Sequence, residues 1–393
     1  MNIKEKIKLL SKDIENKVIQ IRHELHQYPE LAFEEEKTAK FIIKELNEIN
    51  FQVYSNYANT TAVIGVIEGD KPGPTRALRA AMDGFAISEE TKLPFSSKLS
   101  GCMHATGHDG LVAISLGVAY LLSKLKSDLN GKVVLIFQPA EEAEGGAKVL
   151  IKNGLIKDFG IEIIFGFHIS PELPLATIGI RNGVLTSQSD RVLIKITGKG
   201  AHAARPDKAI DPIVIASHLI LAYQEIISRE ISPYDFATIS FGSIESGSTY
   251  NAIPEEAILR GSIRTFSPKV QDCIEKRMKE MFNGITSTFR AKGKLDYCRF
   301  YPSIINHSQL TSNVIKWVEE IWLKQSLIKL EKPMRIAEDF SFYGEKIPSC
   351  FGFLGNGGEY DVHSPHFVLD ESILTPAVAL STYLMLKSNG KTI

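Results

Sequence analysis

Cysteine is scarce in this chain. Four occur in 393 residues (Cys102, Cys273, Cys298 and Cys350), widely spaced and with no C-x-x-C pair. This excludes a disulfide-stapled scaffold and points to a reducing, cytoplasmic setting. An excess of either charge is missing too: Lys and Arg total 45 against 46 Asp and Glu. No global pull toward nucleic acid or an anionic membrane follows, and a small, roughly neutral partner fits better. Long hydrophobic runs are also absent. The longest, residues 111–122, contains Ser115 and Gly117 and falls short of the ~20 residues that cross a bilayer, so it reads as a buried helix. At the N-terminus, charges separate Ile3, Ile7, Leu10 and Ile14, the pattern of an amphipathic helix and not of a signal peptide. Repeats, low-complexity segments, and the P-loop, dinucleotide and G-x-S-x-G motifs are lacking as well.

What is there is ordinary soluble composition, 44% hydrophobic and 23% charged, in a chain long enough for two or three domains at roughly 150 residues each. Four apolar segments, 61–67, 76–82, 132–137 and 161–167, read as buried strands. The last three are near-continuous runs, as expected of strands covered on both faces. Helical patterns fall between them at 111–125 and 147–156, which predicts an α/β layer with a largely parallel sheet.

From about Ser189 the pattern changes. Alternating Val192, Ile194 and Ile196 predict a strand. A helix over 211–228, strands over 237–244 and 257–265, a helix over 270–290 and a strand over 294–301 follow. That order, βαββαβ, is the ferredoxin-like split βαβ arrangement, and the amphipathic strands predict an open sheet with one solvated face. Residues 313–324 and 350–354 then resume the first style. The expected division is a discontinuous larger domain, 1–186 and 303–393, with residues 187–302 inserted.

In parallel α/β sheets ligands bind beyond the carboxyl ends of the strands. Asp83 follows one predicted strand, Gln138-Pro-Ala-Glu141-Glu142 another, and His168 a third. Met103-His104-Ala-Thr106-Gly107-His108-Asp109 precedes the long helix, and Asp361-Val-His363-Ser-Pro follows the late strand. Imidazoles and carboxylates drawn from five distant places suit a divalent metal site for Zn, Mn or Co. Adjacent Glu141 and Glu142 can divide the work, one binding metal while the other takes a proton from water.

These residues bring a resemblance into view. Arg22-His-Glu-Leu-His26-Gln-Tyr-Pro29-Glu30, Met103 to Asp109, Gln138 to Glu142, Gly198-Lys-Gly-Ala-His202-Ala, Asn251-Ala-Ile-Pro254, Gly261-Ser-Ile-Arg264-Thr-Phe, Ala337-Glu-Asp-Phe340 and His363-Ser-Pro365 resemble, in order, the metal-dependent N-acyl-amino-acid amidohydrolases. That family includes hippurate hydrolases, aminoacylases and auxin-conjugate hydrolases. The resemblance implies a two-metal catalytic domain carrying an inserted lid or dimerisation domain, and a homodimer formed through it. By this likeness His108, Glu142, His168 and His363 are metal ligands, and Glu141 is the base that activates a metal-bound water and then protonates the leaving amine. His202 would stabilise the developing oxyanion, Asn251 and Arg264 would contact substrate, and Asp83 would assist at the catalytic centre.

Three departures fall close to that centre. Thr106 stands where the family has a ligating cysteine, and a neutral hydroxyl is a far weaker donor than a thiolate. Ala81 replaces one carboxylate of the strand before Asp83, and Leu111 replaces a histidine. The expected activity is hydrolysis of the amide bond of a small N-acyl amino acid or conjugate with one or two ions per subunit. A catalytically impaired homologue acting as a binding protein, and a dipeptidase using the same site, stay open. Cys102 could supply a displaced thiolate or simply pack.

Overall fold

The apolar runs form the middle of an eight-stranded sheet in a computed structural model that describes residues 1–143, 145–322 and 324–388. In spatial order the strands are Gln52–Tyr54, Val63–Glu68, Asn130–Gln138, Lys71–Ala81, Ile163–Ser170, Ser349–Gly355, Ile178–Ile180 and Leu327–Lys329. Those from Asn130–Gln138 to Ser349–Gly355 run parallel. Gln52–Tyr54 and Val63–Glu68 join one side antiparallel, and Ile178–Ile180 is antiparallel to Ser349–Gly355. The sheet is therefore mostly parallel, with antiparallel additions outside its centre. Ile163–Ser170 is buried along its whole length, because helices cover both faces of such a sheet.

The helix His108–Lys124 is buried on nearly every side, packed against the strand Lys71–Ala81 and the helices Glu15–His26 and Leu374–Lys387. Its sequence is accordingly apolar all round instead of striped, and Leu111, Val112, Leu116 and Leu121 belong to the main core. The single helix predicted over 147–156 is two, Gly146–Lys152 and Leu155–Phe159. Gly154 between them has φ +100°, a left-handed break that glycine takes without a Cβ penalty.

Contacts divide the chain into two compact units. One comprises Met1–Leu185, Ile304–Lys332 and Asp339–Ile393; the other comprises Thr186–Ser303 and Pro333–Glu338. The second unit holds an antiparallel sheet in the spatial order Ala237–Ser246, Glu256–Thr265, Gln188–Thr197 and Lys292–Tyr301. The helices Pro212–Glu225 and Pro268–Thr288 complete a βαββαβ chain order. Asp211 caps the first through the N–H groups of Ile213 and Val214, with Pro212 at the opening position. Ile194, Ile196, Leu259 and Ile263 pack with Ile215, Leu219, Ile274 and Met278 on one face, while Arg191, Leu193 and Lys195 alternate with them and are exposed. Residues 333–338 belong to this unit because Ser187 donates its N–H to Met334 and Ile336, a pairing invisible to local pattern. Among the described residues no helix is long and apolar enough to cross a membrane.

Candidate metal centre

Everything that converges in the larger unit does so where parallel strands end. The strand Lys71–Ala81 runs through Met82 into Asp83, Asn130–Gln138 delivers Pro139 to Glu142, and Ile163–Ser170 carries His168. His108 opens its helix after Gly107, whose φ is +79° and whose Cβ, had it one, would stand 2.8 Å from Ile169 Cγ1. Glycine there lets the turn and the close approach coexist.

His108 Nδ1 donates to the backbone oxygen of Asp83 at 3.0 Å and lies 3.2 Å from Asp83 Oδ1. This fixes the ring so that Nε2, buried with no hydrogen-bond partner, faces Glu141 Oε2 at 3.7 Å. His168 Nδ1 donates to the Ile169 carbonyl at 2.7 Å, which leaves the lone pair on Nε2. One donor atom each from His108, Glu141 and His168 lie within 4.8 Å of one another. Beside them Glu142 Oε2 meets His363 Nε2 at 3.2 Å, and Glu142 Oε1 is buried without a partner. His363 has φ +66°, its N–H donates to Ala105 at 2.9 Å, and its ring stacks on Phe85 at 4.2 Å. A non-glycine residue in that region is uncommon and is held by its surroundings.

The loop bearing the two glutamates is tied by three buried carboxylates. Asp339 accepts Gln138 Nε2 at 3.0 and 2.8 Å and the Ala147 N–H at 2.9 Å, so it joins both ends of the loop. Arg79 Nη2 neutralises Asp339 at 2.6 Å. Glu35 Oε1 accepts the Ala140 N–H at 3.0 Å, and Asp83 Oδ2 accepts the Glu142 N–H at 2.9 Å. Ala140 itself has φ +58°, which costs an L-residue about 1 kcal/mol. Its carbonyl accepts from Gly145 and Gly146 at 3.1 Å each.

Burial pulls the His108 imidazole down, but the hydrogen bond and charge of Asp83, with Glu142 beyond, outweigh it and push it up to about 9. Burial also opposes ionisation of Asp83 and Glu142. His108 holds the Asp83 carboxyl below its ordinary range, and His363 with His108 does the same for Glu142. The Asp83 and Glu142 carboxylates are thus held on the ionised side next to His108, a setting that favours positive charge there. A divalent cation would supply that charge in place of a proton. Two or three imidazoles with carboxylates, and buried donor atoms lacking partners at His108 Nε2 and Glu142 Oε1, fit such an ion.

Behind the site Asp109 accepts Arg22 Nε at 3.0 Å and His26 Nδ1 at 2.8 Å. Burial would lower His26, yet Asp109 and Glu89 push it up to about 9. His104, by contrast, is pushed down to about 4 by burial and stays neutral. Cys102 is buried, and burial with the charges of Glu30, Asp83 and Glu34 pushes its thiol up to about 11. That favours packing over thiolate ligation. Thr106 is buried with Oγ1 unpartnered, Ala81 is the buried last residue of its strand, and Leu111 is core.

The remaining expected residues lie in the second unit. His202 and Asn251 come together: the Asn251 carbonyl accepts the Ala203 N–H at 3.0 Å, and His202 pairs with Ala252 across a two-residue ladder. The His202 ring is exposed. Arg264 is half-buried on Glu256–Thr265, and burial together with the Arg191 charge pulls it below the usual range. Two residues that organise the site, Glu35 and Asp339, carried no expected role. Glu35 sits in a Glu34-Glu35-Glu36 run whose other two members are exposed, and Asp339 lies 201 residues from its partner Gln138.

Comparison with known proteins agrees with this geometry. The chain is 39% identical over 365 residues to the N-acetyl-L-cysteine deacetylase of Bacillus subtilis (strain 168), covering 93% of this chain and 86% of that one. It is 37% identical to thermostable carboxypeptidase 1 of Saccharolobus solfataricus over 100% of both. The crystal structure of the Bacillus subtilis YXEP protein, described as a dinuclear metal binding peptidase from the M20 family, matches with TM-score 0.85 and 33% identity over 97% of this chain and 100% of that one. The profile of peptidase family M20/M25/M40 matches residues 77–387, and the chain accordingly belongs to that family of metal-dependent hydrolases.

Proposed function

We propose that this chain hydrolyses the amide bond of small N-acyl amino acids or related conjugates. The observation that carries the reading is the juxtaposition of the His108, Glu141 and His168 donors with the Glu142–His363 pair. In this reading His108, Glu142, His168 and His363 hold one or two divalent ions, Zn, Mn or Co. The bound metal would polarise the scissile carbonyl and acidify the attacking water. Glu141, 3.7 Å from His108 Nε2, takes the proton from that water and passes it to the leaving nitrogen, which departs as a neutral amine. Asp83 orients His108. His202 steadies the developing oxyanion, while Asn251 and the Arg264 fork contact the substrate, the latter suited to a carboxylate.

Relatives named as an N-acetyl-L-cysteine deacetylase and a carboxypeptidase support amide chemistry on small substrates. Ile213, Val214 and Leu221 are exposed on the helix Pro212–Glu225, and such apolar exposure supports a homodimer through the inserted unit. Four free cysteines suit the cytoplasm. The test is metal content of protein purified without chelator, paired with amine release from a panel of N-acyl amino acids with and without Mn or Zn. Metal-dependent release is expected. Tight binding of these compounds with no turnover under any metal would assign a binding protein instead.

A further inference from the structure

Glu35 is a carboxylate that the reaction above does not use. It precedes the helix Glu36–Glu48 without a side-chain bond to it, between two exposed glutamates, Glu34 and Glu36, yet is itself buried. Its side chain turns inward, where Oε1 accepts the Ala140 N–H at 3.0 Å and Oε2 accepts the Thr61 hydroxyl at 2.5 Å. No basic side chain pairs with it among the described residues. A carboxylate buried without a cation is costly to keep, and burial accordingly pushes Glu35 up to about 7.

The group it holds is specific. Ala140 immediately precedes Glu141, and its left-handed φ of +58° is the turn through which the chain enters the two adjacent carboxylates. Glu141 faces His108 and His168, and Glu142 faces His363. Asp339 secures the ends of this loop and Asp83 the Glu142 N–H, so the Ala140 N–H rests on Glu35.

We propose that Glu35 is a positioning residue for the Glu141–Glu142 pair, holding the left-handed turn at Ala140 that presents the pair to the metal centre. This rests on the reading of Glu141 as base and Glu142 as ligand.

The test uses the full chain with Glu35→Ala, Glu35→Gln, and Glu35→Ala combined with Ala140→Gly. Two readouts are taken: kcat and KM for amine release, and the Zn dissociation constant by competition with a chromophoric chelator. Glu35→Ala should lower kcat about 10- to 100-fold with KM within about threefold, and weaken Zn about 10-fold. Glu35→Gln, whose amide oxygen can accept the same N–H, should stay within about threefold of the parent. Glycine at 140 adopts positive φ unaided, so it should restore at least half of the logarithmic loss. A purely structural role would not be rescued that way.

Parent-like kcat and Zn affinity in Glu35→Ala would overturn the proposal, as would a Glu35→Gln as damaged as Glu35→Ala with no rescue by Ala140→Gly. If Glu35→Ala does not fold, Glu35→Asp, one methylene too short to reach Ala140, replaces it. If the parent turns over no substrate with any metal, the hydrolase reading fails by itself. The Zn constants then still decide whether Glu35 positions the loop.

Discussion

Asp83 and Glu142 are joined by a bond that organises the whole centre: Asp83 Oδ2 accepts the Glu142 N–H at 2.9 Å while Asp83 Oδ1 stands 3.2 Å from His108 Nδ1. One carboxylate therefore sets the ring of one proposed ligand and the backbone of another. Asp83→Asn would turn an amide N–H toward one of two N–H donors and lose the charge that supports His108. The expected outcome is Zn or Mn binding about 10- to 100-fold weaker, as for other partners of metal-ligating histidines. Chelator competition on the stripped protein measures it, and an unchanged constant would show that Asp83 does not orient His108.

Glu141 and Glu142 are neighbours in sequence but differ in their surroundings, and the difference predicts different losses. Glu141→Gln removes the base and keeps the shape. It should lower kcat about 100- to 10,000-fold while the folded protein retains its metal within about threefold. Glu142→Gln should instead raise the metal dissociation constant, because it removes the carboxylate facing His363 at 3.2 Å. Metal loss in Glu141→Gln equal to that in Glu142→Gln would exchange the two roles.

The centre of the sheet is legible in the sequence because strands covered on both faces need unbroken apolar runs, as at 132–137 and 161–167. The alternation at Val192, Ile194 and Ile196 likewise reports a sheet with one open face. Of the ligands proposed in the larger unit, Glu142 and His168 are legible as polar residues that follow those two apolar runs, whereas His108 and His363 stand on other segments. What local pattern does not carry is long-range. The antiparallel placement of Val63–Glu68 depends on which strand it meets, and the return of residues 333–338 to the second unit depends on Ser187. Glu35 looks like one more solvated glutamate until the fold sets it against Ala140. The left-handed backbone of His363 has no glycine to announce it.

The Asp339 cluster makes a prediction about stability. Asp339 and Arg79 are both buried and meet at 2.6 Å, and the same carboxylate carries Gln138 and the Ala147 N–H. Removing it with Asp339→Ala takes a buried carboxylate from the Arg79 guanidinium and its hydrogen bonds from both ends of the loop, which costs about 3–5 kcal/mol. Exchanging Arg79 for Met at the same time removes the buried positive charge as well and should recover part of that loss. Urea denaturation followed by circular dichroism measures both. A loss under about 1 kcal/mol in Asp339→Ala would mean that the pair and the loop ends are held by something else.

Glu35 makes the pH dependence testable. Burial raises its folded pKa to about 7 from 4.5, so the folded state holds this proton more tightly than the unfolded chain. The stabilisation from the bound proton is complete below about pH 4.5 and is lost as pH rises through about 7. Glu35→Gln cannot ionise. Relative to the parent it should gain stability across that window and be more stable at pH 8 by about 3 kcal/mol at most, the equivalent of the shift. At pH 4.5 the two should agree to within about 0.5 kcal/mol, since each then buries a neutral group. Denaturant midpoints recorded from pH 4.5 to 8.5 read the divergence directly. Parallel curves over that range would mean that Glu35 meets no penalty on ionising in the fold, and that holding the Ala140 N–H with a buried carboxylate costs the protein no stability at neutral pH.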